Sequence, residues 1–170
     1  MNYENAYVYG GIYNSVDAAQ SDYDNLALLN ADDVIGPFQA AMVEKREDGK
    51  VKVLQTTSTT RTTGAVVGAT IGAVLALIFP PAILVTAPVG AGFGAAAGDL
   101  SKGWTRGDVK RLAEGLVPGQ TGIIVIAEAG STLEAAAVLA AAVTVEAELV
   151  AAEDRAAILE LVEMDLATAN

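Results

Sequence analysis

From Thr62 to Gly98 the chain carries no charged residue, and within that run glycine recurs at every fourth position on each side of Pro80-Pro81. Gly64, Gly68 and Gly72 lead up to the prolines, and Gly90, Gly94 and Gly98 follow them. Glycine costs a helix interior about 1 kcal/mol relative to alanine, so glycines placed this regularly need a compensating contact. Four-residue spacing lines them along one helix face, where the missing side chains let a second helix approach closely. The run therefore predicts an inserted apolar helical hairpin over 62–98, turning at Pro80 and Pro81 and packed through glycine faces.

Neither arm spans a bilayer comfortably. Gly64 to Phe79 reaches about 24 Å as a helix, against a hydrocarbon core of about 30 Å. Pro88 interrupts the second arm, and the turn Phe79-Pro80-Pro81-Ala82 is itself apolar. Such a turn has to be buried, either in lipid or in protein. Every Lys and Arg except Arg155 flanks the run: Lys45, Arg46, Lys50, Lys52 and Arg61 precede it, and Lys102, Arg106, Lys110 and Arg111 follow it. Cations at both mouths match a hairpin inserted from the cytoplasm. They match equally well solvated charges that neutralise Glu44, Glu47, Asp48 and Asp108. On the first reading, Arg61, Lys102, Trp104 and Arg106 stand at a membrane interface; on the second, Trp104 is packed in a connecting loop.

Composition removes whole classes of function. With 10 Lys+Arg against 21 Asp+Glu the net charge is −11, the wrong sign for neutralising the phosphates of a nucleic acid. The absence of Cys and His excludes thiolate nucleophiles, imidazole bases and zinc sites of the Cys/His kind. Hydrophobic residues make up 52% but aromatics only 5%, so the excess is aliphatic. Met1 to Asn5 is neither basic nor followed by an apolar signal core, which sets the expectation of a cytoplasmic protein, with the inner face of the membrane as the alternative.

A length of 170 residues suits one domain, 1–170. Ala6 to Tyr13 reads as a strand. Ser15 caps a helix whose buried stripe is Val16, Ala19, Tyr23 and Leu26. A second strand runs from Phe38 to Arg46, and Asp48-Gly49 turns the chain into a third from Val51, which completes a first unit over 1–57. The threonine-rich tract Thr56 to Thr63 reads as an extended connector. In 105–150, Asp108 to Leu116 forms a short helix, stopped by Pro118-Gly119. Gly122 to Glu128 holds the continuous run Ile123, Ile124, Val125 and Ile126, expected of a central strand covered on both faces. Ser131 and Glu134 have capping-box spacing and open an Ala-rich helix. Thr144 to Leu149 is a strand with Glu146 and Glu148 on one face and Val145, Ala147 and Leu149 on the other. A terminal helix occupies 152–167. The order is strand-helix-strand on either side of the insertion, and it predicts an α+β fold: a ferredoxin-like split β-α-β sandwich with the apolar glycine-zipper helical hairpin inserted.

The stretch from Asp48-Gly49-Lys50-Val51, through both glycine series, to Asp99-Leu100, Gly119 and the strand ending at Glu128 resembles a bacterial family of unknown function usually labelled a predicted membrane protein. The resemblance covers roughly residues 6 to 150 and is most specific between 64 and 128. It implies a split α/β domain with an inserted glycine-rich hairpin. No activity comes with it, and no catalytic residue is carried over.

Two weaker patterns give way to simpler readings. Gly90-Ala91-Gly92-Phe93-Gly94-Ala95 matches the G-x-G-x-x-A dinucleotide fingerprint. That fingerprint needs a strand running straight into the glycine turn, however, and Pro88 intervenes, while Asp108 sits at a helix start instead of a strand end. Acidic pairs (Asp22 with Asp24, Asp32-Asp33, Glu146 with Glu148, Glu153-Asp154) lack any ordered cation-loop spacing and read as acidic surface. The expectation is a non-enzymatic, self-associating scaffold that needs no cofactor and no metal, with the hairpin in the core of a homo-oligomer. Its rivals are a monotopic protein with the hairpin in membrane lipid and, more distantly, a nucleotide-binding module.

Overall fold

Two hydrophobic periodicities divide the chain: alternation and aliphatic runs give strands, and three-to-four spacing gives helices. The structure, a computed structural model, describes residues 6–31, 38–58, 69–79, 82–86, 108–128 and 137–168. Strand β1 (Ala6–Tyr13) passes through Asn14 and Ser15 into helix α1 (Val16–Ala31). Ser15 Oγ accepts the Ala18 amide at 3.4 Å, and the Ser15 carbonyl accepts that of Ala19 at 3.2 Å, which makes Ser15 the N-cap. Ala19, Tyr23 and Leu26 are buried as the stripe predicts. Val16 is not: it is 41% exposed, on the opening turn ahead of the first α1 residue in the core.

Strands β2 (Phe38–Lys45) and β3 (Val51–Ser58) form an antiparallel hairpin. The Gly49 amide donates to the Arg46 carbonyl at 2.9 Å, and the Arg46 amide to the Lys50 carbonyl at 2.8 Å. This is a three-residue loop closed by Gly49 at φ 79°, the left-handed position that suits glycine. Asp48 Oδ1 accepts the Lys50 amide at 3.0 Å and stiffens the turn.

Helix α2 (Ala69–Ile78) lies in the apolar run, and it is followed by a short strand, β4 (Leu84–Thr86), that pairs parallel to β3. The described residues after the prolines are thus a turn and a strand, not the helical arm expected of 62–98, and the Val51 amide donates to the Ile83 carbonyl at 2.7 Å to hold them there. Helix α3 (Asp108–Gly115), strands β5 (Thr121–Glu128) and β6 (Thr144–Leu149), and helix α4 (Ala152–Thr168) complete a mixed α/β fold.

The six strands form one sheet in the order β4-β3-β2-β5-β1-β6. Every pairing is antiparallel except that of β3 with β4. β5 sits between β2 and β1, and Ile123, Ile124, Val125 and Ile126 are all buried. On one face, Ile123 and Val125 join Tyr9, Tyr13, Phe38 and Met42 under α1. On the other, Ile124 and Ile126 join Val8, Ala41 and Val43 under α2, α3 and α4. α2 is wedged against α4 and the sheet, with Ile71, Val74, Leu75 and Ile78 buried. Phe79, which follows it, is buried too. Among the described residues no helix is long and apolar enough to cross a membrane.

Candidate functional site

Of the residues singled out by the sequence, Gly72 is described and lies buried in α2. Gly64, Gly68, Gly90, Gly94, Gly98, Pro80, Pro81, Arg61, Lys102, Trp104 and Arg106 fall outside the described residues. The face that carries Gly72 belongs to a helix already covered by this chain's own sheet and α4.

Inside the fold, buried polar groups tie elements together. Tyr13 Oη donates to Asp22 Oδ2 at 3.0 Å, and the Ala141 amide donates to the same oxygen at 2.9 Å. This links β1, α1 and the approach to β6. Burial first, then the charge and hydrogen bond of Asp22, hold the Tyr13 phenol far above its ordinary ionisation range. Burial and the charge of Asp24 raise Tyr23 in the same direction. Neither phenol supplies a phenolate near neutrality. Asp22 and Asp24 do not act as a pair: Asp22 is buried on its bonds to Tyr13 and Ala141, whereas Asp24 is exposed and accepts from Gln20 Nε2 at 2.8 Å. Among the described residues no group of three or more Asp and Glu is placed to hold a metal ion.

A shallow depression of about 390 Å³ lies at the β2–β3 turn, lined by Glu44, Lys45, Arg46, Glu47, Asp48 and Gly119. Its charges are of both signs, Lys45 and Arg46 lying between Glu44 and the pair Glu47-Asp48. The Lys45 amide and carbonyl are spent on Gln120 and Gly119 at 3.0 and 2.8 Å. It brings together no nucleophile and base.

The surface that departs from ordinary packing is β6, which pairs with β1 on one side and, among the described residues, ends the sheet on the other. Its register sets Leu149, Ala147 and Val145 beside Tyr7, Tyr9 and Gly11, on the α1 face. Glu148 and Glu146 lie beside Val8 and Gly10, on the opposite face. α1 covers β5, β2 and β1, while α3 packs on the far face of β6. The glutamates are therefore half-buried under a helix, and the aliphatic side chains face outward: Val145 is 39% and Leu149 50% exposed. Val143, just before the strand, is 57% exposed. Scattered exposed aliphatics are ordinary; a strand with its apolar side out and its acidic side in is not.

The alternation on β6 was visible in the sequence. What the sequence did not carry was which of its two faces a helix covers. No known family, curated protein or solved structure matches the chain.

Proposed function

We propose that this chain is a non-enzymatic scaffold protein whose work is to hold another polypeptide at the free edge of its sheet. The observation that carries the reading is β6: among the described residues it is an edge with no strand beyond it, and its exposed side chains are Val145, Ala147 and Leu149. Natural edges are usually blunted by outward charge, proline or a covering segment, and an edge left apolar is suited to strand addition. The framework is read as a ferredoxin-like split β-α-β sandwich. Support comes from β1-α1-β2 with β5 lying between its two strands, and from β6 returning beside β1.

Self-association through the glycine faces is a narrower form of the same reading, supported by their four-residue spacing. The burial of α2 under α4 weighs for a scaffold over a monotopic protein, because that part of the apolar run is already out of water. The missing His and Cys and the two bonds that Asp22 Oδ2 already accepts weigh against catalysis.

The test is to pan a displayed library of random octapeptides against the purified chain. Enriched peptides are expected to lose binding to a Val145→Lys, Leu149→Lys double variant that keeps its circular dichroism. A library with no enrichment, or with binders indifferent to the double variant, overturns the reading.

A further inference from the structure

Among the described residues, every second residue of β6 has no strand beside its backbone groups. The Val150 amide donates to the Ala6 carbonyl at 2.9 Å, and the pairing with β1 runs from Tyr7↔Leu149 to Ile12↔Thr144 without a shift. Antiparallel residues alternate between turning both backbone groups to the neighbour and turning both away. Stepping by two from Val150, the residues Glu148, Glu146 and Thr144 face β1. Leu149, Ala147 and Val145 direct their N–H and C=O groups outward, along the free edge. The residues with available backbone are thus the same ones that carry the exposed apolar side chains.

We infer that this edge takes up an extended segment of a different protein in which apolar and basic residues alternate, adding a seventh strand to the sheet. The inference rests on the scaffold reading above and names its partner. A strand laid on β6 sets one set of side chains beside Val145, Ala147 and Leu149, and the other set beside Glu146 and Glu148. The charges on the strand itself have one sign, Glu146 and Glu148, and between Arg111 and Arg155 the sequence holds no Lys or Arg. The helix packed on this face, α3, carries Lys110 and Arg111, and Lys110 already pairs with Glu114 at 4.0 Å.

A second copy of the chain is the obvious competitor, and charge disfavours it. Outward backbone must meet outward backbone, so odd residues pair with odd and even with even. The register that sets Ala147 opposite its own copy sets Glu146 opposite the copy's Glu148. Sliding by two sets Glu146 opposite itself. Like charges directly opposite are destabilising, and a net charge of −11 adds to the repulsion. A basic-apolar strand meets the same backbone with attraction in place of repulsion.

The experiment uses three labelled, end-capped hexapeptides read by fluorescence anisotropy on the full chain: Arg-Val-Lys-Val-Arg-Val, its Glu-for-cation analogue and its Ser-for-Val analogue. The first is expected to bind at least about tenfold more tightly than either analogue, equivalent to about 1.4 kcal/mol. Ala147→Pro removes an outward amide while leaving the bonds to β1 intact, and it is expected to abolish binding. Glu146→Lys is expected to reverse the preference between the basic and acidic peptides. If the acidic peptide binds as well as the basic one, and Ala147→Pro abolishes both, the partner class is wrong while edge docking stands. If the chain instead forms a dimer that Ala147→Pro dissolves, the edge belongs to a second copy and the inference fails. If no peptide binds and panning also yields nothing at Val145 and Leu149, the inference and the scaffold reading fall together.

Discussion

Gln39 in the middle of the sheet accepts, through Oε1, the amide of Ile71 on α2 at 3.0 Å. Gln39 is itself buried, so this is a polar bond made inside an apolar layer. The opening amides of a helix have no partner within it, and in α2 one of them is satisfied by a side chain of β2. Gln39→Leu keeps the volume but leaves that amide buried and unbonded, which costs about 1–3 kcal/mol. Urea denaturation of the variant is expected to show a lower midpoint. An unchanged midpoint would mean that water reaches the start of α2.

The Tyr13–Asp22–Ala141 link yields a pH prediction. The Tyr13 and Tyr23 phenols ionise less readily in the folded chain than in the unfolded one. Above about pH 10 the unfolded chain sheds protons that the folded chain keeps. Stability contributed by these groups is therefore complete below that range and falls as the pH rises through it. Tyr13→Phe is expected to cost about 1 kcal/mol at neutral pH and to flatten the alkaline decline. A decline of the same slope in wild type and variant would remove Tyr13 as its cause.

At the β2–β3 turn, Gly49 holds φ at 79° with nothing within 4 Å of where a Cβ would stand. Gly49→Ala therefore tests backbone strain free of any clash. The expected loss is about 1 kcal/mol, smaller for Gly49→Asn, read as a shift in melting temperature. Equal melting for glycine and alanine would show that the turn relaxes.

Gly72 separates packing within the chain from packing between chains. Gly72→Leu forces extra volume into buried α2, which typically costs about 1–3 kcal/mol. The expected result is a lower melting temperature with unchanged particle mass by light scattering, because α2 is buried against the sheet and α4. A change of mass at unchanged stability would place that glycine at a contact between copies. The same pair of measurements on Gly68→Leu and Gly94→Leu extends the test to the rest of the glycine series.

Much of the framework is legible in the sequence because its signals are local. The run Ile123 to Ile126 marks a strand covered on both faces, and β5 has a neighbouring strand on each side. Ser15 and Gly49 act through bonds to residues a few positions away. The misread features depend on distant partners. Val16 fits the helical stripe but stands on the opening turn of α1. Leu84 to Thr86 has no period of its own in so short a stretch, and its pairing with β3 defines it. Asp22 reads as acidic surface until Tyr13 and Ala141 are brought beside it, and nothing near Gln39 in sequence announces its bond to Ile71. The face of β6 that stays exposed is decided by α1 and α3, neither of which adjoins it in sequence.

The position of β5 also has a consequence in time. β1 and β2 do not touch each other, and the strand that joins them ends only at Glu128. On a ribosome adding about 5–20 residues per second, β2 is complete several seconds before its inner neighbour exists. During that interval two aliphatic strand edges wait side by side, with the glycine-rich segment emerging between them and the strand that closes the gap. A nascent chain halted before Thr121 is expected to be caught by chaperones or to aggregate, and one halted after Glu128, with its exit-tunnel length cleared, to resist proteolysis. In this protein the middle of the sheet is among the last parts of it to be made.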